Sequence, residues 1–445
     1  MSRTFIDVVY NGELASLHDD DLIRLLYTQF TPEIDHLKNV PRAVEKADQN
    51  KSGPEGNITE KALSPSRLLF GEDFDEVNRT ITNVRAVKWL LANEYEAFSA
   101  NQAVKLSAQT FKAFRDRALL SLNDPDNLVA LVVALVVGDM GKDPHLADEI
   151  AALSGVKSNE NHDTLLAQAV GCGMLDKPLS LLSNTRREDV ILGIRVGAVL
   201  NIPQLMQGEN VPGSLKPVLQ FRDHLSAFTL KYLEIIFDVA GAAGHIDSRS
   251  AKRMIEPVCE SFLQAWPILE AIVTSQTSHA ETSLKEAYDQ VLQNRGRLVN
   301  QMGFLSVLST SNPAERALLR LFAMGRVADQ ETADQVQKAF TTLPEIECLV
   351  QGLNVNGIDD GEAILLYYMP ALFAGTLQAV PEPEERTEAL TSLMRFMVRL
   401  FDGSKPQPGT AGSIKECDVS AAVDFVRSSD FRPRFFDGYT LPVGS

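Results

Sequence analysis

The residues best placed to do chemistry lie between Leu131 and Val170. An unbroken aliphatic run, Leu128 to Val137, stops at Gly138-Asp139-Met140-Gly141-Lys142-Asp143-Pro144-His145. A second polar cluster, Asn161-His162-Asp163, opens another helical pattern about twenty residues on. An aspartate, an imidazole and a lysine can supply a ligand for metal or water, a general base, and a positive charge for a developing anion. Further along stand His224, Asp238 and His245. The spacings of fourteen and seven residues return close to one helix face, so these side chains can join Asp139, His162 and Asp163 in a mixed nitrogen–oxygen site. The plainer alternative is that Asp139 caps its turn, Lys142 is solvated, and each imidazole is simply hydrogen-bonded.

An apolar helix ending in Gly138-Asp139-Met140-Gly141-Lys142, with His162 following, resembles the HD-domain phosphohydrolase superfamily. There the helix ends in His-Asp-hydrophobic-Gly-Lys, and a further His follows at a comparable distance. The resemblance runs from Gln109 to His245. It implies a divalent metal held by Asp139, His162 and Asp238, with Asp139, Lys142, His162 and Asp163 as catalytic groups. The implied activity is that of a hydrolase or oxygenase on a phosphorylated or oxidisable small molecule. Two departures bear on the metal. The motif's histidine is Gly138 here, and residues 109–122 contain no histidine, so two of the usual imidazole ligands are missing. A metal-free enzyme of isomerase or cyclase type using the same cleft is therefore the second expectation. A helical binding or scaffold protein without turnover is the third.

Other clusters are simpler. Arg186 and Arg187, near a helix start, can hold a phosphate or carboxylate of a substrate, with His224 and His245 as further binding groups. A solvated face is the alternative. Asp359, Asp360 and Glu362 crowd the start of an apolar segment, where they either favour the helix dipole or collect a cation. Phosphate-loop, dinucleotide-binding, nucleophile-elbow and zinc-protease signatures are absent from the sequence.

The elements that must position these groups read as helices. Segments 85–98, 109–122, 188–200 and 221–245 carry apolar residues at helical spacing, and Leu128–Val137 is apolar on every side, as a central helix is. Asp126 is expected to cap that helix. Gly241-Ala-Ala-Gly244 would let a helix or a ligand approach its backbone. No alternating strand pattern appears, so the class is all-α. The expected organisation is an N-terminal extension and linker over 1–64, one helical domain over 65–403 with an HD-like core at 109–245, and a linker and tail over 404–445.

Composition bounds the partners. The chain has 445 residues and a formal net charge of −17, which disfavours a nucleic-acid footprint and suits a small-molecule substrate. The longest apolar run is ten residues, too short to span a bilayer. Cys172, Cys259, Cys348 and Cys417 form no paired motif, so a cytoplasmic protein with reduced thiols is expected, and self-association into a homo-oligomer is left open.

Overall fold

The computed structural model describes residues 3–41, 64–155, 161–207, 212–275, 280–299, 308, 312–325, 327, 329–355, 363–402 and 414–441. The fold is all-α, and the described residues contain one two-stranded sheet. Two compact units emerge in place of a single domain: residues 1–198 with 223–263, and residues 199–222 with 264–445.

In unit one the chain runs through α1 (Phe5–Tyr10), α2 (Asp19–Gln29), α3 (Thr31–Lys38), α4 (Pro65–Phe70), α5 (Asp75–Leu91), α6 (Tyr95–Ser99), α7 (Ala108–Leu122) and α8 (Pro125–Val137). A 3-10 turn (Met140–Lys142) leads to α9 (Leu146–Ser154), α10 (His162–Gly171), α11 (Asp176–Leu179) and α12 (Asn184–Gly197). After α13 (Ile202–Gln207), which belongs to unit two, the chain returns as α14 (Leu225–Gly241).

Helix α8 is the apolar centre. Asp124 caps it by accepting from the Asp126 amide at 2.9 Å, and Pro125 occupies the first turn, where its missing N–H costs nothing. The cap is thus Asp124, two residues before the expected Asp126. Every residue from Leu128 to Val137 is buried, each large aliphatic contributing about 1.5–3 kcal/mol. Helix α5 begins ten residues earlier than the periodicity starting at Arg85 suggested, and it is buried along most of its length. Residues 3–41 are no loose extension, since α1, α2 and α3 pack on α5 and α8. The linker part of the expected 1–64 segment falls on residues 42–63, which lie outside the described residues.

The small-residue end of α14 admits a helix. A Cβ on Gly241 would stand 1.9 Å from Asn83 Oδ1 and 2.5 Å from Asn83 N, and one on Gly244 would stand 2.6 Å from Asn78 O. Asn83 N and Asn78 O are backbone atoms that cannot yield, so α5 and the end of α14 meet at a separation that only glycine allows.

Unit two holds α15's C-terminal part (the helix is Glu256–Thr274), α16 (Ala280–Val299), α17 (Pro313–Gly325), α18 (Gln330–Thr342) and α19 (Ile346–Val355). Then come β1 (Ala363–Tyr367), α20 (Met369–Ala379), α21 (Pro383–Asp402), β2 (Ile414–Asp418), α22 (Ser420–Val426) and α23 (Phe435–Gly438). The apolar segment after residue 362 is therefore not one helix. Ala363–Tyr367 pairs in parallel with Ile414–Asp418, and Tyr368 turns the chain with φ +67° into α20. Asp359, Asp360 and Glu362, and the expected linker over 405–413, lie outside the described residues. No single helix among the described residues is long and apolar enough to cross a membrane.

Gly241→Ala is expected to lower the melting temperature by the equivalent of about 1–3 kcal/mol, as overpacking does. Gly171→Ala, where a Cβ meets nothing within 4 Å, is the control and should change little. Equal melting of the two variants would contradict the close approach.

Candidate functional site

Three elements of unit one bring charge together. Helix α5 presents Glu76, Arg79 and Asn83 at positions i, i+3 and i+7, one stripe on a largely buried helix. Helix α14 presents Lys231, Glu234 and Asp238 at the same spacing. Between them in sequence, the turn after α8 supplies Asp139 and Lys142.

Lys142 is the hub. Its Nζ lies 2.7 Å from Asp139 Oδ1 and 3.2 Å from Glu76 Oε2. Arg79 bonds Glu76 Oε1 at 2.5 Å and donates through Nε to His245 Nδ1 at 3.0 Å. His245 is thereby the tautomer with its proton on Nε2. Lys231 Nζ bonds Glu234 at 2.9 Å, and its stem lies across Gly193 and Gly197 of α12. Asn83 Nδ2 donates to Asp238 Oδ1 at 3.1 Å. Asp238 stays open to solvent although protein surrounds it on several sides, with Asp139, Lys142 and Glu234 all within electrostatic reach.

The proton affinities follow from this crowding. Burial and then the Asp139 charge push Asp238 up to about 7, against the pull of Lys142 and the Asn83 hydrogen bond. Burial also raises Glu76, with Asp139 adding to the effect. Burial alone would raise Asp139 too, but the Lys142 ammonium outweighs it and holds that carboxyl below its ordinary value. Lys142 itself is desolvated, yet Asp139, Glu76 and Asp238 together hold its proton more firmly than usual. Burial and Arg79 lower His245, which stays neutral.

The turn is anchored from behind. Asp143, 1% exposed, accepts from Asn39 Nδ2 at 3.0 Å, lies 2.7 Å from His36 Nδ1, and takes the His145 amide at 2.9 Å. Helix α3 thus fixes the residue that follows Lys142. Gly141 lies against the backbone of His162, where a Cβ would come within 1.9 Å of the carbonyl oxygen, so the turn and the start of α10 pack directly.

The expected site residues divide accordingly. Asp139, Lys142 and Asp238 converge. Asp139 makes no capping bond to its turn, so its carboxylate is free for Lys142. His162 and Asp163 sit at the rim, about half exposed and 3.5 Å from each other. His162 still reaches Asp139 electrostatically, and Asp163 reaches Lys231. His245 does not share a helix face with Asp238, because α14 ends at Gly241, and it joins the cluster through Arg79 instead. His224 lies exposed before the first turn of α14, about 20 Å from Asp238 along the axis, and takes no part. Arg187 pairs with Asp176 on the surface at 2.8 Å, and Arg186 pairs with Asp189, which also accepts from Ser226. Neither arginine is among the charges that act on Asp139, Lys142 or Asp238.

Asp139, His162 and Asp238 do not fit a metal as arranged. Asp139 is engaged by an ammonium, and His162 turns to the rim. Among the described residues no group of three or more His, Cys, Asp or Glu is disposed to hold an ion. Glu76, Arg79 and Asn83 escaped the sequence reading because the helix was begun at Arg85. Their i, i+3, i+7 stripe was the available signal.

Unit two carries an open polar groove of about 620 Å³ lined by Lys338, Glu384, Glu388, Arg395 and Arg434 among others. Both of its arginines are paired, Arg395 with Glu345 and Asp437, Arg434 with Glu388. The unit-one cluster is the stronger candidate, because Glu76, Asp139 and Lys142 are largely buried together and the neighbouring Asp238 carboxyl is pushed up to about 7.

The model of a family of unknown function (DUF6829) matches residues 23–434. No curated protein and no solved structure matches the chain.

Asp238→Asn tests the electrostatics through stability. A carboxyl whose folded value is raised binds its proton more tightly in the native state, so wild-type stability falls as pH rises from about 4 to about 7. Asp238→Asn removes that loss. Relative to wild type, its melting temperature is expected to gain steadily over this window and level off above it. A pH-independent difference would contradict the raised value.

Proposed function

The chain belongs to this family of unknown function (DUF6829), and from its unit-one cluster we propose a metal-independent acid–base enzyme acting on a polar small molecule. The observation that carries this is Lys142, clamped between Asp139 and Glu76 beside the solvent-open Asp238. Asp238, poised near neutrality, accepts or returns a proton at its free oxygen. Lys142 stays charged and offers a fixed positive centre for negative charge developing on the substrate, its position held by two carboxylates so that it need not reorganise. His162, exposed at the rim, is placed to meet the substrate as it enters.

This reading keeps the helix order of the HD resemblance and gives up its metal. Two imidazoles of that motif are absent, and its Asp139 and Lys142 are joined instead by Glu76 from α5. The hydrolase or oxygenase reading would need Asp139 to leave Lys142 and His162 to swing inward. We place the reaction in the cytoplasm, in keeping with the four free cysteines.

Screening a metabolite library for thermal stabilisation of the full chain, then for turnover of the compounds that bind, tests the proposal. Lys142→Met and Asp238→Asn are each expected to lower kcat by about 10²–10⁴-fold while remaining folded. Chelator treatment should leave turnover unchanged, and kcat should show one limb near pH 7. Turnover that needs an added divalent metal, or that survives both substitutions, would contradict it.

A further inference from the structure

Asn83 has an unusual position for an amide. It is 1% exposed, its Nδ2 donates to Asp238 at 3.1 Å, and its Oδ1 is buried with no hydrogen-bond partner. A buried acceptor left unpaired costs about 1–3 kcal/mol, so an orphan here asks for a reason. The oxygen is wedged against Gly241, and the carbonyl oxygen of Arg79 crowds the same point: the two lie 1.9 and 2.8 Å from where a Gly241 Cβ would be. Both atoms are acceptors. Turning the amide over would exchange Nδ2 and Oδ1, placing Oδ1 on the side of Asp238 and Nδ2 where the orphaned oxygen now stands.

Asp238 exists in two forms with opposite needs. As a carboxylate it only accepts. As a carboxylic acid it carries an O–H that must donate. We infer that Asn83 is a positioning residue that holds Asp238 in both forms, donating through Nδ2 to the carboxylate and, with its amide turned over, accepting through Oδ1 from the acid. The orphaned oxygen is then half of a two-position device, and the Asp238 proton points along one fixed direction instead of rotating freely.

The geometry permits this only because Gly241 lacks a side chain, which leaves room for a planar amide between α5 and α14. The other charges around Asp238 are fixed by partners of their own. Glu76 and Arg79 come from α5, Asp139 and Lys142 from the turn, and Lys231 and Glu234 from α14 itself, with Asp163 at the start of α10 facing Lys231. Helix α7 meets α14 with Phe114 against Phe237, and α12 sets Gly193 and Gly197 against the Lys231 stem while its Asp189 accepts from Ser226 at the start of α14. Asn83 is the uncharged group that can change its hydrogen bonding when the proton arrives.

The inference rests on the acid–base reading of Asp238, but its test does not require turnover. Nuclear magnetic resonance on the full wild-type chain, with labelled asparagine side chains and labelled aspartate carboxyls, reads both groups. The Overhauser contact between the Asn83 amide protons and Gly241 Hα is expected to strengthen as Asp238 takes up its proton, on the same midpoint. In Asp238→Asn that contact should no longer depend on pH. An Asn83 amide that ignores the Asp238 titration, or an Asp238 carboxyl that does not titrate between about pH 5 and 9, would overturn the inference. A coupled titration in a chain that turns over no compound would leave the inference standing and remove the enzyme.

Discussion

Three carboxylates drawn together, two of them largely out of water, repel one another, and a lone ammonium mostly withdrawn from water loses much of its hydration. Each is unfavourable alone, by several kcal/mol per ion in a protein interior. Unit one combines them. Lys142 sits among Glu76, Asp139 and Asp238, which come from α5, the turn after α8, and α14. The arrangement persists only while all three elements hold their places. Local unfolding of any one would strand charges that the others could not satisfy. The apolar core of unit one can be understood as the scaffold that enforces this convergence.

That scaffold has two working parts. Helix α8, buried along its whole aliphatic run, delivers the turn at a fixed depth. The α5–α14 contact, closed to glycine distance at Gly241 and Gly244, aligns two polar stripes so that they face one another. The N-terminal helices complete the frame from behind, because His36 and Asn39 hold Asp143 immediately after Lys142. Contact with the ammonium does the selecting among the carboxylates. Asp139 keeps its charge because the ammonium touches it, whereas Asp238 has only an amide donor and remains open to water, so its proton is the one that can move.

Much of this was legible in the sequence, and the remainder had physical reasons to be hidden. The apolar run 128–137 announced a central helix, and Gly138 to Lys142 announced chemistry at its end. Gly241 and Gly244 announced a close approach, though not whether a helix or a ligand would make it. What stayed hidden was the partner. A polar stripe on a buried helix looks in one dimension like a solvated face, so the i, i+3, i+7 spacing of Glu76, Arg79 and Asn83 does not by itself mark them as a buried cluster. His245 misled because the periodic argument assumed that α14 continued beyond Gly241. The segment 363–367 misled because a short buried strand and a buried helical turn share the same aliphatic composition. Arg186 and Arg187 were plausible anion ligands by type, and each found a nearby aspartate instead.

The convergence on Lys142 is tested most directly by a double-mutant cycle between Lys142 and Glu76, two residues that are 66 positions apart in the chain. Stability is measured for wild type, Lys142→Met, Glu76→Gln and the double variant. A coupling of at least about 1 kcal/mol is expected, because each single change leaves the partner's charge buried and the double change does not. Additive effects within about 0.3 kcal/mol would mean that the two side chains do not share a site, and the cluster described here would not exist.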